Sequence, residues 1–214
     1  AMSVSWGINV GVTVLVSQLW GAGRRVEAAQ AAYQAMALSI AAAGLIMYLG
    51  LTFGSKAAVL LGAEAEVHGI LSDYTGIIFT YIFFTIAINV ISGIMHGTGD
   101  TKTPLYSAFI VNILHVAVAY PLIYGYLGLP KLGVKGAAIA IAVSESMGAT
   151  FLFARSLIKR YIIITRTLDL KLTTMTVRLG LPILFDRLLQ NMGSLLFAKV
   201  ILLSGTAVHA AHQV

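Results

Sequence analysis

The sequence predicts an all-α, polytopic membrane protein, and three observations carry that prediction. Hydrophobic residues make up 58% of the 214-residue chain and charged residues 10%, with a mean hydropathy of +0.90, too little charge to solvate a globule of this size. Apolar runs recur along the whole length, and each is long enough for the ~20 residues a helix needs to cross about 30 Å of hydrocarbon. Glycine is abundant, at 21 residues, which suits membrane helices whose small residues let backbones approach closely.

Six spans are expected, at 1–19, 31–54, 70–96, 104–127, 134–155 and 176–204, each bounded by polar or Gly/Pro-containing loops. The first carries Gly7 and Gly11 as a small-xxx-small pair, the second Ala41-Ala-Ala-Gly44, and the fifth Gly136-Ala-Ala138, all predicting tight helix contacts. The fourth should start at Thr103-Pro104, an N-cap and N1 pair, with Asp100 capping or stiffening the preceding turn, and should end at Gly125, Gly128 and Pro130. Between the fifth and sixth spans, the basic stretch from Ser156 to Thr174 holds Tyr161-Ile-Ile-Ile164 among charges, the pattern of an interfacial amphipathic linker.

Charge sets the expected orientation. The first, third and fifth loops, with their flanking turns, hold Arg24, Arg25, Lys102, Arg155, Lys159, Arg160, Arg166, Lys171 and Arg178, against Lys56, Lys131 and Lys135 in the second and fourth. Nine against three places the odd loops in the cytoplasm. The net charge of +6 is spread over loops rather than gathered on a face, so it argues for topology and against nucleic acid. With no cysteine in the chain, disulfides, thiolate metal sites and cysteine nucleophiles are excluded. Nothing resembles a nucleophile–base pair, and no enzyme is expected.

Three stretches in combination and in order resemble the multidrug and toxic compound extrusion (MATE) transporters: Gln18-Leu-Trp-Gly-Ala-Gly-Arg-Arg25 with Glu27-Ala28, Gly97-Thr-Gly-Asp-Thr-Lys-Thr-Pro104 followed by Asn112-Ile-Leu and Tyr120 to Gly125, and Gly133-Val-Lys-Gly-Ala-Ala-Ile-Ala140. Leu179-Gly-Leu-Pro182 and Ala210-Ala-His-Gln-Val214 look like the first helix of the family's second lobe. The resemblance implies a twelve-helix protein of two six-helix lobes around a central cavity, within the MOP flippase superfamily. On it, residues 1–155 are expected to be helices two to six of the amino-terminal lobe, 156–175 the cytoplasmic inter-lobe linker, and 176–214 the first helix of the carboxy-terminal lobe, so that the chain is expected to be part of a larger transporter. The implied activity is export of organic, often cationic compounds by alternating access, driven by entry of Na⁺ or H⁺. Partners would be amphiphilic small molecules and the lipid bilayer of a bacterial inner membrane, with no obligate protein partner, no resident metal and no cofactor beyond the coupling ion.

The candidate cavity residues are few. Asp186 lies four residues after Pro182 inside an apolar span, where a carboxylate costs several kcal/mol unless paired, protonated or hydrated; a local pair with Arg187 or Arg178 is the alternative. Gln190 and Asn191 follow about one turn later on a related face, and the family often carries glutamate at the position of Gln190. Glu145, in Ser144-Glu-Ser146 midway through the fifth span, can carry a proton or attract a cation, or simply bond to a neighbouring helix. Asn112 and His115, at i and i+3, are expected to share one face of the fourth span. The resemblance also marks a departure: family members with an amino-lobe cation site tend to have asparagine at the position of His115, aspartate or asparagine at Ala119 and threonine at Ile141, and none is kept. The Gly97–Pro104 loop lacks the spacing of a phosphate cradle, and His209 with His212 has no third ligand nearby for a metal. Asp73, Glu64 and Glu66 read as solvated charge, and Lys199 as a snorkelling side chain.

The expected function is therefore multidrug efflux by cation antiport. One alternative is export or flipping of a lipid-linked or polysaccharide precursor, which would want several inward arginines where only Arg187 lies well inside a span. A second is a non-transporting membrane scaffold, for which interior polar residues would be idle.

Overall fold

The computed structural model describes residues 2–60, 68–126, 128, 130–163 and 169–203, and these form six helices: α1 (Met2–Gly21), α2 (Arg25–Leu60), α3 (His68–Gly97), α4 (Lys102–Tyr124), α5 (Val134–Ile158) and α6 (Leu170–Leu203). The all-α class and the six elements match expectation. Two starts do not: α2 and α6 each begin six residues earlier than their apolar runs, because polar first turns are stabilised locally. Arg24 pairs with Glu27 at the head of α2, and the Asp169 carboxylate accepts the Lys171 amide, 2.8 Å away, at the head of α6. Among the described residues, four helices are long and apolar enough to cross a membrane, α2 to α5.

The helices form a row, α4–α5–α3–α1–α6, with α2 closing over α3 and α1. Lipid tails are as apolar as leucine, so association in a membrane depends on close packing rather than on escape from water. The sequence supplies shape for this. Val12, Leu15, Val16 and Leu19 of α1 meet the small stripe Ala28, Ala31, Ala32 and Ala35 of α2, at the same i, i+3, i+4, i+7 spacing. On α3, Ile82, Ile86, Val90 and Ile94 complete that core, while Ala87, Ile91 and Met95 turn to Ala149 and Leu152 of α5.

The expected glycine contacts divide. A Cβ on Gly11 would stand 2.6 Å from the Thr176 carbonyl oxygen, and one on Gly7 3.0 Å from that of Gly180, so α1 and α6 meet at backbone distance. Gly136 likewise lies against the Leu122 carbonyl, where a Cβ would come to 2.7 Å. In Ala41 to Gly44 the small face is carried by Ala43, which is buried in the core, while Gly44 is exposed and a Cβ there would have nothing within 4 Å. Gly93 and Gly97, which the sequence did not single out, seat α3 on α1, where a Cβ would approach the Asn9 and Thr13 carbonyls to 2.8 and 2.9 Å.

Four helix ends share one stop. At Gly23, Gly99, Gly125 and Arg160 the chain turns left-handed (φ 76°, 85°, 79° and 55°), and the next amide bonds back to the carbonyl five residues earlier: Arg24 to Leu19, Asp100 to Met95, Tyr126 to Pro121, Tyr161 to Ser156. Arg160 holds this conformation without being glycine, at a cost of roughly 1–2 kcal/mol. Downstream, Tyr161 meets Trp20 edge-on at 5.6 Å and Ile162 is buried in the core. The start of the linker is therefore docked against the bundle through Tyr161 and Ile162. Ile164, Arg166 and the rest of residues 164–168 lie outside the described part.

Helix α4 starts ahead of the expected Thr103, with Thr101 in the N-cap position, while Asp100 holds its first turn as expected: its Oδ1 accepts the Thr103 amide at 3.1 Å and its Oδ2 the Thr103 hydroxyl at 2.7 Å. Lys159 at the end of α5 donates to the same Oδ2 at 2.6 Å. Burial raises the Asp100 pKa, but the bonds from Lys159 and Thr103 and the lysine charge outweigh it and hold the carboxyl below the ordinary aspartate value.

Two outcomes follow for the full-length protein in detergent. Gly11→Ala should lower the thermal midpoint, with an overpacking cost of about 1–3 kcal/mol, whereas Gly44→Ala should leave it unchanged or slightly higher. For Asp100, a folded-state pKa held below the unfolded one means its stabilisation is present above the unfolded value and is lost as pH falls through the folded one. Asp100→Ala should thus cost about 1 kcal/mol at neutral pH and progressively less in acid, as read by melting temperature against pH.

Candidate functional site

Glu145 sits half-buried on α5 between two serines, and neither serine serves it. Ser144 donates to the Ala140 carbonyl at 2.6 Å and Ser146 to that of Val143 at 2.8 Å, both within their own helix. The partner comes from α3, where the Thr85 hydroxyl donates to Glu145 Oε2. His115 of α4 lies within electrostatic reach of the same carboxylate. Two helices thus join a carboxylate and a hydroxyl across their contact. Asn112 does not join them: it is exposed, and its amide bonds back to the Ala108 carbonyl at 2.8 Å. The spacing to His115 was right for a shared face, but the helix orientation sends the two side chains to different surroundings.

From Thr85 the polar groups continue across the bundle. The Asn89 amide donates to the Thr85 carbonyl at 2.8 Å, and that of Asn9 on α1 to the Asn89 carbonyl. The Thr13 hydroxyl reaches both the Asn9 and Gly93 carbonyls, at 2.7 and 3.0 Å. Thr85, Asn89, Asn9 and Thr13 were not picked from the sequence. Two asparagines inside apolar spans were the visible signal, since a primary amide facing lipid would be left unpaired. Beside this ribbon, a groove of about 290 Å³ opens between α2, α3 and α5, walled by Met36, Ile40, Phe83, Phe84 and Phe153.

The second expected group lies on α6. Asp186 Oδ2 accepts the Gln190 amide at 2.8 Å, and Gln190 Oε1 faces the Arg187 guanidinium at 3.4 Å. Arg187 itself stacks over Trp6 of α1, 4.6 Å from the ring centre, so the arginine is engaged by a ring and an amide while the carboxylate bonds to Gln190. Asp186, Gln190 and Asn191 are all exposed. Since α6 packs on α1 and α2, this group is separated from Glu145 by α1 and α3. The described residues hold two polar groups rather than one. The side chains of Asp73 and Lys199, and residues Glu64, Glu66, His209, Ala210 and His212, lie outside the described part.

A row of apolar helices with polar side chains turned to its interior defines a multi-pass membrane protein. The sequence model of the MatE family matches residues 1–121, more than half of the chain, and the chain belongs to that family. The Probable multidrug resistance protein NorM of Thermotoga maritima is 26% identical over 217 residues, covering 96% of this chain and 45% of that protein. The Probable multidrug resistance protein YoeA of Bacillus subtilis is 24% identical, covering 100% and 48%. The chain therefore spans about half the length of the curated relatives it matches. Among solved structures, the Vibrio cholerae MATE transporter VcmN in its bent form superposes with a TM-score of 0.88 at 20% identity, covering 99% of this chain and 48% of that one. A MOP superfamily transporter from Pyrococcus furiosus gives 0.89 at 22% identity, covering 99% and 47%. The fold is thus that of about half of a MATE transporter.

The hydroxyl assignments yield a contrast testable by thermal unfolding of the full-length protein. Thr85→Val leaves a part-buried carboxylate short of a donor and should cost about 1–3 kcal/mol. Ser146→Ala removes a bond within one helix and should change stability by less than about 0.5 kcal/mol.

Proposed function

We propose that this chain is the working half of a secondary active exporter of amphiphilic, often cationic organic compounds, driven by antiport of H⁺ or Na⁺ in the plasma membrane of a bacterium. The observation that carries this is the placement of Glu145, a half-buried carboxylate in an apolar helix given a donor by a second helix. A charged group at membrane depth is costly and marks ion or substrate pathways. Membership of the MatE family, and relatives named as multidrug resistance proteins, support the same direction. In such a machine the carboxylate holds a cation in one state and yields it to substrate in another, and each exchange shifts the balance between outward-open and inward-open arrangements. Met36, Phe83, Phe84 and Phe153 in the groove offer adaptable apolar surface, suited to varied substrates rather than to a single one. Asp186, exposed on α6 with Gln190, supplies a second negative charge for a cationic substrate.

The test is dye efflux from proteoliposomes containing the full-length transporter, under an imposed Na⁺ gradient and, separately, an imposed pH gradient. Efflux is expected under at least one gradient, and Asp186→Asn should slow export of a cationic dye at least ~10-fold, about 1.4 kcal/mol of lost interaction, with a smaller effect on a neutral dye. A parent protein that exports no dye under either gradient would overturn the proposal.

A further inference from the structure

The groove between α2, α3 and α5 joins an apolar trough to a basic mouth. We propose that it seats one anionic phospholipid of the cytoplasmic leaflet, with an acyl chain against its aromatic wall and the phosphate beside Arg160 and Arg25. The proposal goes beyond the exporter reading and holds without it. In transport, the wall that adapts to varied compounds is filled by this lipid when none of them is bound.

Among the described residues, α2 and α5 each pack on α3 and not on each other, which leaves a gap that side chains alone narrow. Met36 and Ile40 of α2, Phe83 and Phe84 of α3 and Phe153 of α5 give it an apolar wall. The hydroxyl in that wall, of Thr150, is spent on the Ser146 carbonyl of its own helix at 2.8 Å. Measured from the helix ends at Arg25, Gly97 and Ile158, the lining residues lie about 8 to 22 Å along the axes at 1.5 Å per residue. The groove thus runs through one half of a hydrocarbon core about 30 Å thick. That length decides the occupant. A membrane-crossing helix from the rest of the transporter would need a seat over the full depth, whereas an acyl chain stays within one leaflet.

The same end of the bundle supplies the charge. Tyr161 packs against the α3–α5 cluster that the groove exposes, and with Trp20 it forms an aromatic floor of the kind found where membrane meets water. Lys159 lies over Tyr161, 5.8 Å from the ring centre, and Arg25 over Trp20, at 5.1 Å. Nearby carboxylates are committed, Asp100 to Lys159 and Glu27 to Arg24, so Arg25 and the exposed Arg160 carry the excess positive charge. At Arg160 the left-handed backbone (φ 55°) would suit glycine. The chain instead places there a guanidinium, whose fork of donors matches phosphate oxygens. A tail-shaped apolar trough ending at such a group has the chemistry of an anionic amphiphile.

The test titrates the full-length transporter in detergent with phosphatidylglycerol or phosphatidylcholine of identical chains and reads the retained lipid by native mass spectrometry. Phosphatidylglycerol should bind about 5-fold or more tightly than phosphatidylcholine, and Arg160→Gly, which keeps the turn and removes the charge, should abolish most of that preference. Lys131→Ala, at the opposite end of the bundle, should leave it intact. Thr150→Trp, a change at an exposed position of the wall, should weaken binding of both lipids by filling the trough. Equal binding of the two lipids by the parent, or a preference that survives Arg160→Gly or is lost equally in Lys131→Ala, would overturn the proposal. So would undiminished binding in Thr150→Trp, the result expected if another helix of the full-length protein covered the groove. A parent that exports no dye removes the exporter reading alone, because lipid retention is read without transport.

Discussion

Backbone-distance contact on both sides of α1 is the constraint around which the bundle is arranged. On one side Gly93 and Gly97 of α3 rest on the Asn9 and Thr13 carbonyls, and on the other Gly7 and Gly11 meet Gly180 and the Thr176 carbonyl of α6. With no hydrophobic driving force between helices in lipid, this closeness is what dispersion and interhelical hydrogen bonds require. It brings the Asn9 amide within reach of the Asn89 carbonyl and the Thr13 hydroxyl within reach of that of Gly93. The polar ribbon is thus a product of glycine placement: were α1 a methyl group further from α3, its amides would face lipid without partners.

A division of labour follows between the two edges of the row. At the α4–α5 edge, polarity is internal, with Glu145 facing residues of α3 and α4. At the α6 edge it is displayed, with Asp186, Gln190 and Asn191 exposed.

Much of this was legible in the sequence, for identifiable reasons. Helix number, order and fold class followed from apolar runs broken by turn residues, and Gly7, Gly11 and Gly136 announced their contacts by spacing. Glu145 and Asp186 stood out because an acid in an apolar span has few inexpensive explanations. What was not legible depended on rotation and partner choice. Ser144 and Ser146 looked like natural neighbours of Glu145, but a helical serine reaches its own backbone more easily than the next side chain, and the true partner came from 60 residues away. Asn112 shared a helix face with His115 by counting, yet was not brought to Glu145. Thr103 looked like a cap until Asp100, three residues before it, took the amide. Ile162 looked interfacial because its neighbours are charged, and only the left-handed turn at Arg160 reveals that the chain folds back inward.

That turn has a mechanical consequence. Tyr161 and Ile162 are fastened to the bundle, and at the other end Asp169 is fastened as well: with its amide turned to donate, Gln34 of α2 bonds the Asp169 carbonyl at 2.8 Å and the Thr173 hydroxyl at 2.9 Å. Both described ends of the stretch between α5 and α6 are therefore held by the bundle, one against Trp20 of α1 and the other by Gln34 of α2.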